Sequence, residues 1–443
     1  MDKEFEVAPE QVISSLRDHI LVDGFHVIID LEKSQGSYIH DAATGQDLLD
    51  FYSYFASLPV GHNHPGLRSD EVFIRELVAA ALANPANSDI YTTQYARFVK
   101  TFAQIAKPPE FKYLFFVAGG ALAVENALKT AFDWKVRRNR AAGRGDLGTR
   151  ILHFREAFHG RTGYTMSLTN TDPVKVDAYP KFDWPRVINP KLEFPVTDEV
   201  IRRVVELEKQ ACSEIEAAFR DHPHDIAAII IEPIQGEGGD NHFRGEFLQK
   251  LRVLADKHDA LLIFDEVQTG LGITGKLWAH QHFDVSPDIV AFGKKTQVCG
   301  IMVSDRVDDV PDHVFRTPSR INSTWGGNLV DMIRGAKYLE IIRDDKLVDN
   351  AADRGEELQS VLRVLASKHR GVTNVRGRGL FTAFTLPSPQ IRDAVRQSCW
   401  NLGLACLSSG PNSIRFRPCL SVSSEEIALA GTILDKSLHM HIE

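Results

Sequence analysis

From about Phe111 to about Gly300, short apolar runs alternate with longer stretches in which apolar residues recur at helical spacing. YLFFVAGG (Tyr113–Gly120) reads as a buried strand that breaks into a glycine turn, and Ala121–Arg140 then takes the helical period. ILHF (Ile151–Phe154), IAAIIIEP (Ile226–Pro233) and ALLIFDEV (Ala260–Val267) read as further buried strands. PDIVAFGKK (Pro287–Lys295) gives one more before a basic turn. Between the second and third of these runs, Phe247, Leu248, Leu251 and Leu254 share one helical face. Such alternation predicts a mostly parallel sheet covered by helices on both faces. Ligands of open sheets of that kind bind beyond the carboxyl ends of the strands.

After Gly327 the pattern changes. NLVDMIRGAKYLEIIRDDKL predicts one long amphipathic helix leaving the sheet, and the remainder mixes helices with short strands. The opening residues carry strand-like pieces (FHVIIDLEKSQGSYIHDAATGQDLLDFYS) suited to packing with that later part. The expected division is therefore residues 1–60 packing with a small domain, 61–330 as a large α/β domain, and 331–443 as a small α+β domain.

Composition narrows the functional classes. Of 443 residues, 43% are hydrophobic and 25% charged, which supplies a sizeable core and excludes a disordered chain or a disulfide-stapled miniprotein. With 51 Lys and Arg against 59 Asp and Glu, the net charge of −8 opposes non-specific nucleic-acid binding, which needs a basic field. No run approaches the roughly 18 apolar residues of a membrane span, and the acidic start is unlike a secretory signal. The cysteines (Cys212, Cys299, Cys399, Cys406 and Cys419) have neither metal-site nor disulfide-framework spacing. That usage leads one to expect reduced thiols, a cytoplasmic protein and no metal.

Several residues carry candidate chemistry. Asp265 ends an apolar strand, where open sheets place their ligands, although a strand-end acid also serves as a plain cap or a metal ligand. Lys294 follows the apolar PDIVAFG; a lysine entering a desolvated pocket loses basicity and forms imines with aldehydes, whereas a surface lysine does neither. Together they suggest pyridoxal phosphate, which needs a lysine for its imine and a carboxylate to keep its pyridine nitrogen protonated. AGGALAVEN (Ala118–Asn126) places glycines directly before a helix, whose free N–H groups favour an anion such as phosphate. Phe158 and His159 occupy a turn after a strand, where an aromatic ring stacks on a cofactor or merely packs in the core. Arg161 and Arg415, with Arg417 two residues on, offer planar forks for carboxylates. Glu237, in the glycine-rich EPIQGEGGD, is an acid able to pair with one of them.

Taken in order, GGALAVENALK, FHGRTGYTMSLTN, EPIQGEGGD, LLIFDEVQTGLGITG, PDIVAFGKK and NSTWGGN resemble the fold-type I, class III aminotransferases over nearly the whole chain. FDWKVRRN, YPKFDWPR and FGKKTQVCG are closer to the lysine ε-aminotransferase branch than to the ornithine or 4-aminobutyrate branches. The resemblance implies a large domain with a mostly parallel seven-stranded sheet flanked by helices, and a small α+β domain built from both termini. It implies transfer of lysine's terminal amine to 2-oxoglutarate through pyridoxal phosphate; ornithine, 4-aminobutyrate or another ω-amine is the alternative donor. Lys294 would form the imine and shuttle the proton, Asp265 would hold the ring nitrogen protonated, Gln268 would bond the phenolic oxygen, and Phe158 would stack on the ring. Gly120 and Ala121 would hold the phosphate through main-chain N–H groups. Thr324 would reach it from the other subunit of a homodimer with shared sites. Arg161 would take lysine's α-carboxylate with Phe55 and Asn328 near the pocket, and Arg415 the α-carboxylate of the dicarboxylate. Glu237 would pair with Arg415 while lysine is bound and move aside afterwards. The chain departs from many relatives at Gly119–Leu122, which lacks a phosphate-binding hydroxyl. A nicotinamide-binding enzyme is disfavoured because no GxGxxG follows a strand, and a non-catalytic protein because Lys294, Asp265 and Gln268 are all present.

Overall fold

The computed structural model describes residues 5–442. Residues 1–4 and 443 of the expected divisions lie outside the described residues. A seven-stranded sheet runs in the spatial order Phe111–Val117, Cys299–Ser304, Ile289–Phe292, Leu261–Asp265, Ile226–Ile231, Arg150–Phe154 and Arg186–Val187. Cys299–Ser304 is antiparallel to both of its neighbours, and every other pairing is parallel.

The apolar runs are continuous because the sheet is buried on both faces, and the period of two divides each run between them. Leu261 and Ile263 join one core while Leu262 and Phe264 join the other; Ile289 and Ala291 separate from Val290 and Phe292 in the same way. The helix Gly120–Ala141 supplies Val124, Leu128 and Trp134 to one face. The helix Gly245–Lys257 supplies Phe247, Leu248 and Leu251 to the opposite one.

Outside this sheet, Thr373–Arg378, Phe381–Thr385, Ser413–Phe416 and Leu407–Ser409 form a four-stranded antiparallel sheet. The early strand Asp47–Asp50 pairs in parallel with Leu404–Ala405, which joins the two ends of the chain. The long helix expected after Gly327 is Leu329–Asp344, and a second helix, Leu347–Lys368, follows it. Lys346, with a left-handed φ of 52°, separates the two. Among the described residues no helix is long and apolar enough to cross a membrane.

Phe264 is fully buried beside Asp265, whereas Val253 is 65% exposed on the helix Gly245–Lys257. Phe264→Ala is expected to cost about 3–5 kcal/mol in denaturant unfolding, through lost transfer energy and a cavity. Val253→Ala should stay within about 0.5 kcal/mol. Equal effects of the two substitutions would contradict the two-faced core.

Candidate active site

Carboxyl ends of the parallel strands converge on one cavity of about 1110 Å³. Asp265, Lys294, Phe158, Arg161, Gly120, Ala121, Gln268, Glu237, Phe55 and Arg415 all line it. Thr324 and Asn328 do not.

Asp265 closes the strand Leu261–Asp265 and is 5% exposed. One carboxylate oxygen accepts the Val267 N–H at 3.0 Å, and the other accepts from His159 Nδ1 at 2.8 Å. His159 is itself buried, and its Nε2 finds no partner among the described residues. The acid is therefore held by its own turn and by a ring arriving from the loop after Arg150–Phe154.

Lys294 begins a short 3-10 turn just beyond Ile289–Phe292, in left-handed backbone at φ 56°. Strain of this kind persists where surrounding structure enforces it, and it aims the side chain into the cavity. Burial, with Arg415 and Arg417 nearby, pushes the amine down to about 8. Its Nζ lies 5.8 Å from the centre of the Phe55 ring. That ring is presented by a left-handed turn, Ser53–Ala56, which the Asp50 carboxylate caps at the Ser53 N–H over 2.6 Å. The neighbouring Lys295 is fully committed: its ammonium donates to the carbonyls of Gln268 at 2.8 Å and Ala56 at 3.2 Å.

Facing these groups is the start of the helix Gly120–Ala141, where no side chain caps the free N–H groups. A Cβ at Gly120 would come within 2.9 Å of Val267, so only glycine leaves this cradle open. Glu125, one turn into the helix, accepts from the Thr162 hydroxyl at 2.6 Å and the Tyr164 N–H at 2.7 Å, tying the Arg161 loop to it. Glu232, at the end of Ile226–Ile231, accepts the N–H groups of Phe158 at 3.0 Å and Gly236 at 2.9 Å. Burial pushes its carboxyl up to about 7.

The arginine side of the cavity is built on Gln268. Its Oε1 accepts from Arg415 at 3.1 Å and from Arg417 at 3.0 Å, which turns its amide nitrogen away as a donor. Arg417 is fully buried against Asp240 at 2.8 Å. Burial and the adjacent Arg417 lower Arg415 to about 10, and its Nε has no partner among the described residues. Arg161 lines the cavity and is exposed.

Asn328 does not line the cavity of this chain; it caps the helix Leu329–Asp344, accepting the Val330 N–H at 2.9 Å. Glu237 is not on Arg415: its carboxylate takes the Thr171 hydroxyl at 2.9 Å and the Lys175 ammonium. Thr324 is exposed on a strap that rests on Asn87, whose Nδ2 donates to the Gly327 carbonyl at 2.9 Å. His159, Glu232, Glu125 and Lys175 had no assigned role from sequence. Their partners lie far along the chain, and only the FHG and EP turns hinted at the first two.

A buried amine of lowered basicity, a sealed carboxylate, a free amide donor and an uncapped helix start fit pyridoxal phosphate. Lys294 would hold its aldehyde, Asp265 its ring nitrogen, Gln268 its phenolic oxygen, and the Gly120–Ala121 N–H groups its phosphate.

The family model "Aminotransferase class-III" matches residues 22–438. The chain is 52% identical to an L-lysine-epsilon aminotransferase of Mycobacterium tuberculosis, over 95% of this chain and 94% of that one. It is 46% identical to an L-lysine-epsilon aminotransferase of Streptomyces clavuligerus, over 97% and 94% of the respective chains. A solved lysine aminotransferase from M. tuberculosis in the internal aldimine form superposes with a TM-score of 0.96 at 50% identity, covering 98% of this chain and 100% of that one.

The Lys294 amine predicts a pH dependence. Because its proton is lost near 8 rather than near 10.5, the cofactor-free protein should capture pyridoxal phosphate at a rate that rises with pH and levels off above about 8. Stopped-flow absorbance reads this, with Lys294→Ala as the control that traps nothing on borohydride reduction. A rate still climbing through pH 10 would contradict the desolvated amine.

Proposed function

The chain belongs to the class-III aminotransferases, and on that premise we propose that it transfers the terminal amino group of L-lysine to 2-oxoglutarate. The products are L-glutamate and 2-aminoadipate 6-semialdehyde, which closes on its own α-amine to a six-membered cyclic imine. The observation that carries the choice of lysine is the identity of 46–52% to lysine-ε aminotransferases along almost the entire chain.

The enzyme is pyridoxal-phosphate dependent, and the bound cofactor supplies an electron sink at the carbon that gives up its proton. Lys294, its basicity lowered by burial, is suited to take up and give back a proton at its Nζ. Asp265, braced by His159, holds the pyridine nitrogen protonated. Phe158 would cover one ring face, Gln268 would donate to the phenolic oxygen, and Gly120 and Ala121 would hold the phosphate through their N–H groups.

Lysine's reacting amine has no neighbouring carboxylate, whereas glutamate's does. Arg161, exposed at the cavity, takes lysine's distant α-carboxylate, and Arg415 takes the carboxylate beside the reacting carbon of the dicarboxylate. Glu237 masks Arg415 while lysine is bound, so that both substrates use one site in opposite senses.

The active unit is a homodimer with shared sites, Thr324 reaching the phosphate of the second copy. Trp325 is exposed on the strap beside Thr324, and Leu82, Ile90 and Tyr91 are exposed on the segment whose Asn87 and Ser88 hold that strap; exposed apolar surface of this kind favours burial against another chain. Five unpaired cysteines, four of them buried, support a reducing cytoplasmic setting.

The test is a two-substrate assay of the cofactor-loaded protein with L-lysine and 2-oxoglutarate, following glutamate and trapping the cyclic imine, with L-ornithine and 4-aminobutyrate in parallel. Turnover of lysine well above the other donors is expected, and turnover confined to another ω-amine would move the substrate. Arg161→Gln should raise KM for lysine by about tenfold or more, the worth of a charge-assisted carboxylate bond, and leave the glutamate half-reaction near its original value. Equal losses in both half-reactions would remove Arg161 from lysine recognition.

A further inference from the structure

Glu237 lines the cavity on a backbone held from both sides. Its carbonyl accepts the Gly410 N–H at 2.8 Å, and the preceding Gly236 N–H is held by Glu232 at 2.9 Å. A Cβ on the following Gly238 would stand 2.0 Å from the Glu156 carbonyl oxygen, so the loop is packed against its neighbour. Only the Glu237 side chain is free to relocate.

One resting place is occupied. The turn at 171–175, whose shape is set by Asp172 accepting the Val174 N–H at 3.1 Å, offers Glu237 the Thr171 hydroxyl at 2.9 Å and the Lys175 ammonium. Lys175 lines the cavity, with its ammonium 6.0 Å from the Phe158 ring centre. The other place is Arg415, buried at 5% exposure with its Nε unpartnered among the described residues. Its one side-chain hydrogen bond among the described residues goes to the neutral Gln268 oxygen at 3.1 Å, and a buried cation with no carboxylate against it is costly, so an unopposed Glu237 would go to Arg415. Lys175, at 32% side-chain exposure, pays little when it stands alone in water.

We propose that Lys175, with Thr171, is the specificity-determining positioning residue that holds Glu237 off Arg415 so that a dicarboxylate can enter. The inference rests on the reading of Glu237 as the movable mask of Arg415. Deleting the Lys175 charge shifts Glu237 towards Arg415, and a dicarboxylate must then displace it, which weakens apparent affinity by the fraction of masked enzyme. Lysine, which needs Arg415 masked, loses nothing.

Lys175→Met, Lys175→Arg, Glu237→Ala and the double variant Lys175→Met/Glu237→Ala test this on the cofactor-loaded enzyme. The probe is glutarate, an unreactive dicarboxylate, titrated by the absorbance of the bound cofactor, alongside the two half-reactions measured separately. Lys175→Met is expected to raise the glutarate Kd and the 2-oxoglutarate KM about five- to tenfold, with kcat and the lysine half-reaction unchanged. Lys175→Arg should restore both, and the double variant should bind glutarate as Glu237→Ala alone does. Equal weakening by Lys175→Met in both backgrounds would mean that Lys175 attracts the dicarboxylate itself, and would overturn the proposal. An unchanged Kd in Lys175→Met would overturn it as well. If Glu237→Ala leaves the lysine half-reaction and its ε-regiochemistry intact, the masking role of Glu237 falls, and that failure is distinguishable because it needs no change at Lys175.

Discussion

A single buried carboxylate organises this molecule. Asp265 ends a central strand whose other residues are wholly enclosed, and a charge at 5% exposure is tolerated only if its oxygens are satisfied. The Val267 N–H and the His159 ring satisfy it from one side. The remaining capacity faces the cavity, where it suits a protonated ring nitrogen. Holding His159 in place requires the loop after Arg150–Phe154, which is in turn tied down by Glu232 at Phe158 and by Glu125 at the Arg161 loop.

The cations around that acid are graded by their partners. Lys294 and Lys295 are adjacent in sequence and differ in fate: burial lowers the basicity of both, but one opens into the cavity while the other donates to two carbonyls. Arg415 and Arg417 show the same division. Arg417 is neutralised by Asp240 and props Gln268, whereas Arg415 keeps a free nitrogen. In each pair the structural member clears the way for the functional one, and together the positive groups make the free lysine amine easier to deprotonate.

Much of this was legible in the sequence. The apolar runs located the buried strands, because strands covered on both faces have no polar positions to interrupt them. Asp265, Lys294 and the glycine turn before Ala121 were legible since each follows such a run directly. What escaped were pairings across long stretches of chain: His159 with Asp265, Lys175 with Glu237, and the arginines with Gln268. Local spacing carries no trace of them.

The central claim is that the Asp265 carboxylate, braced by His159, keeps the cofactor's ring nitrogen protonated. Nitrogen NMR of the protein loaded with ring-labelled pyridoxal phosphate reads that proton directly. The account predicts the shift of a protonated pyridine at pH 7 and its loss in Asp265→Ala. The shift of an unprotonated ring in the unaltered protein at pH 7 would contradict it.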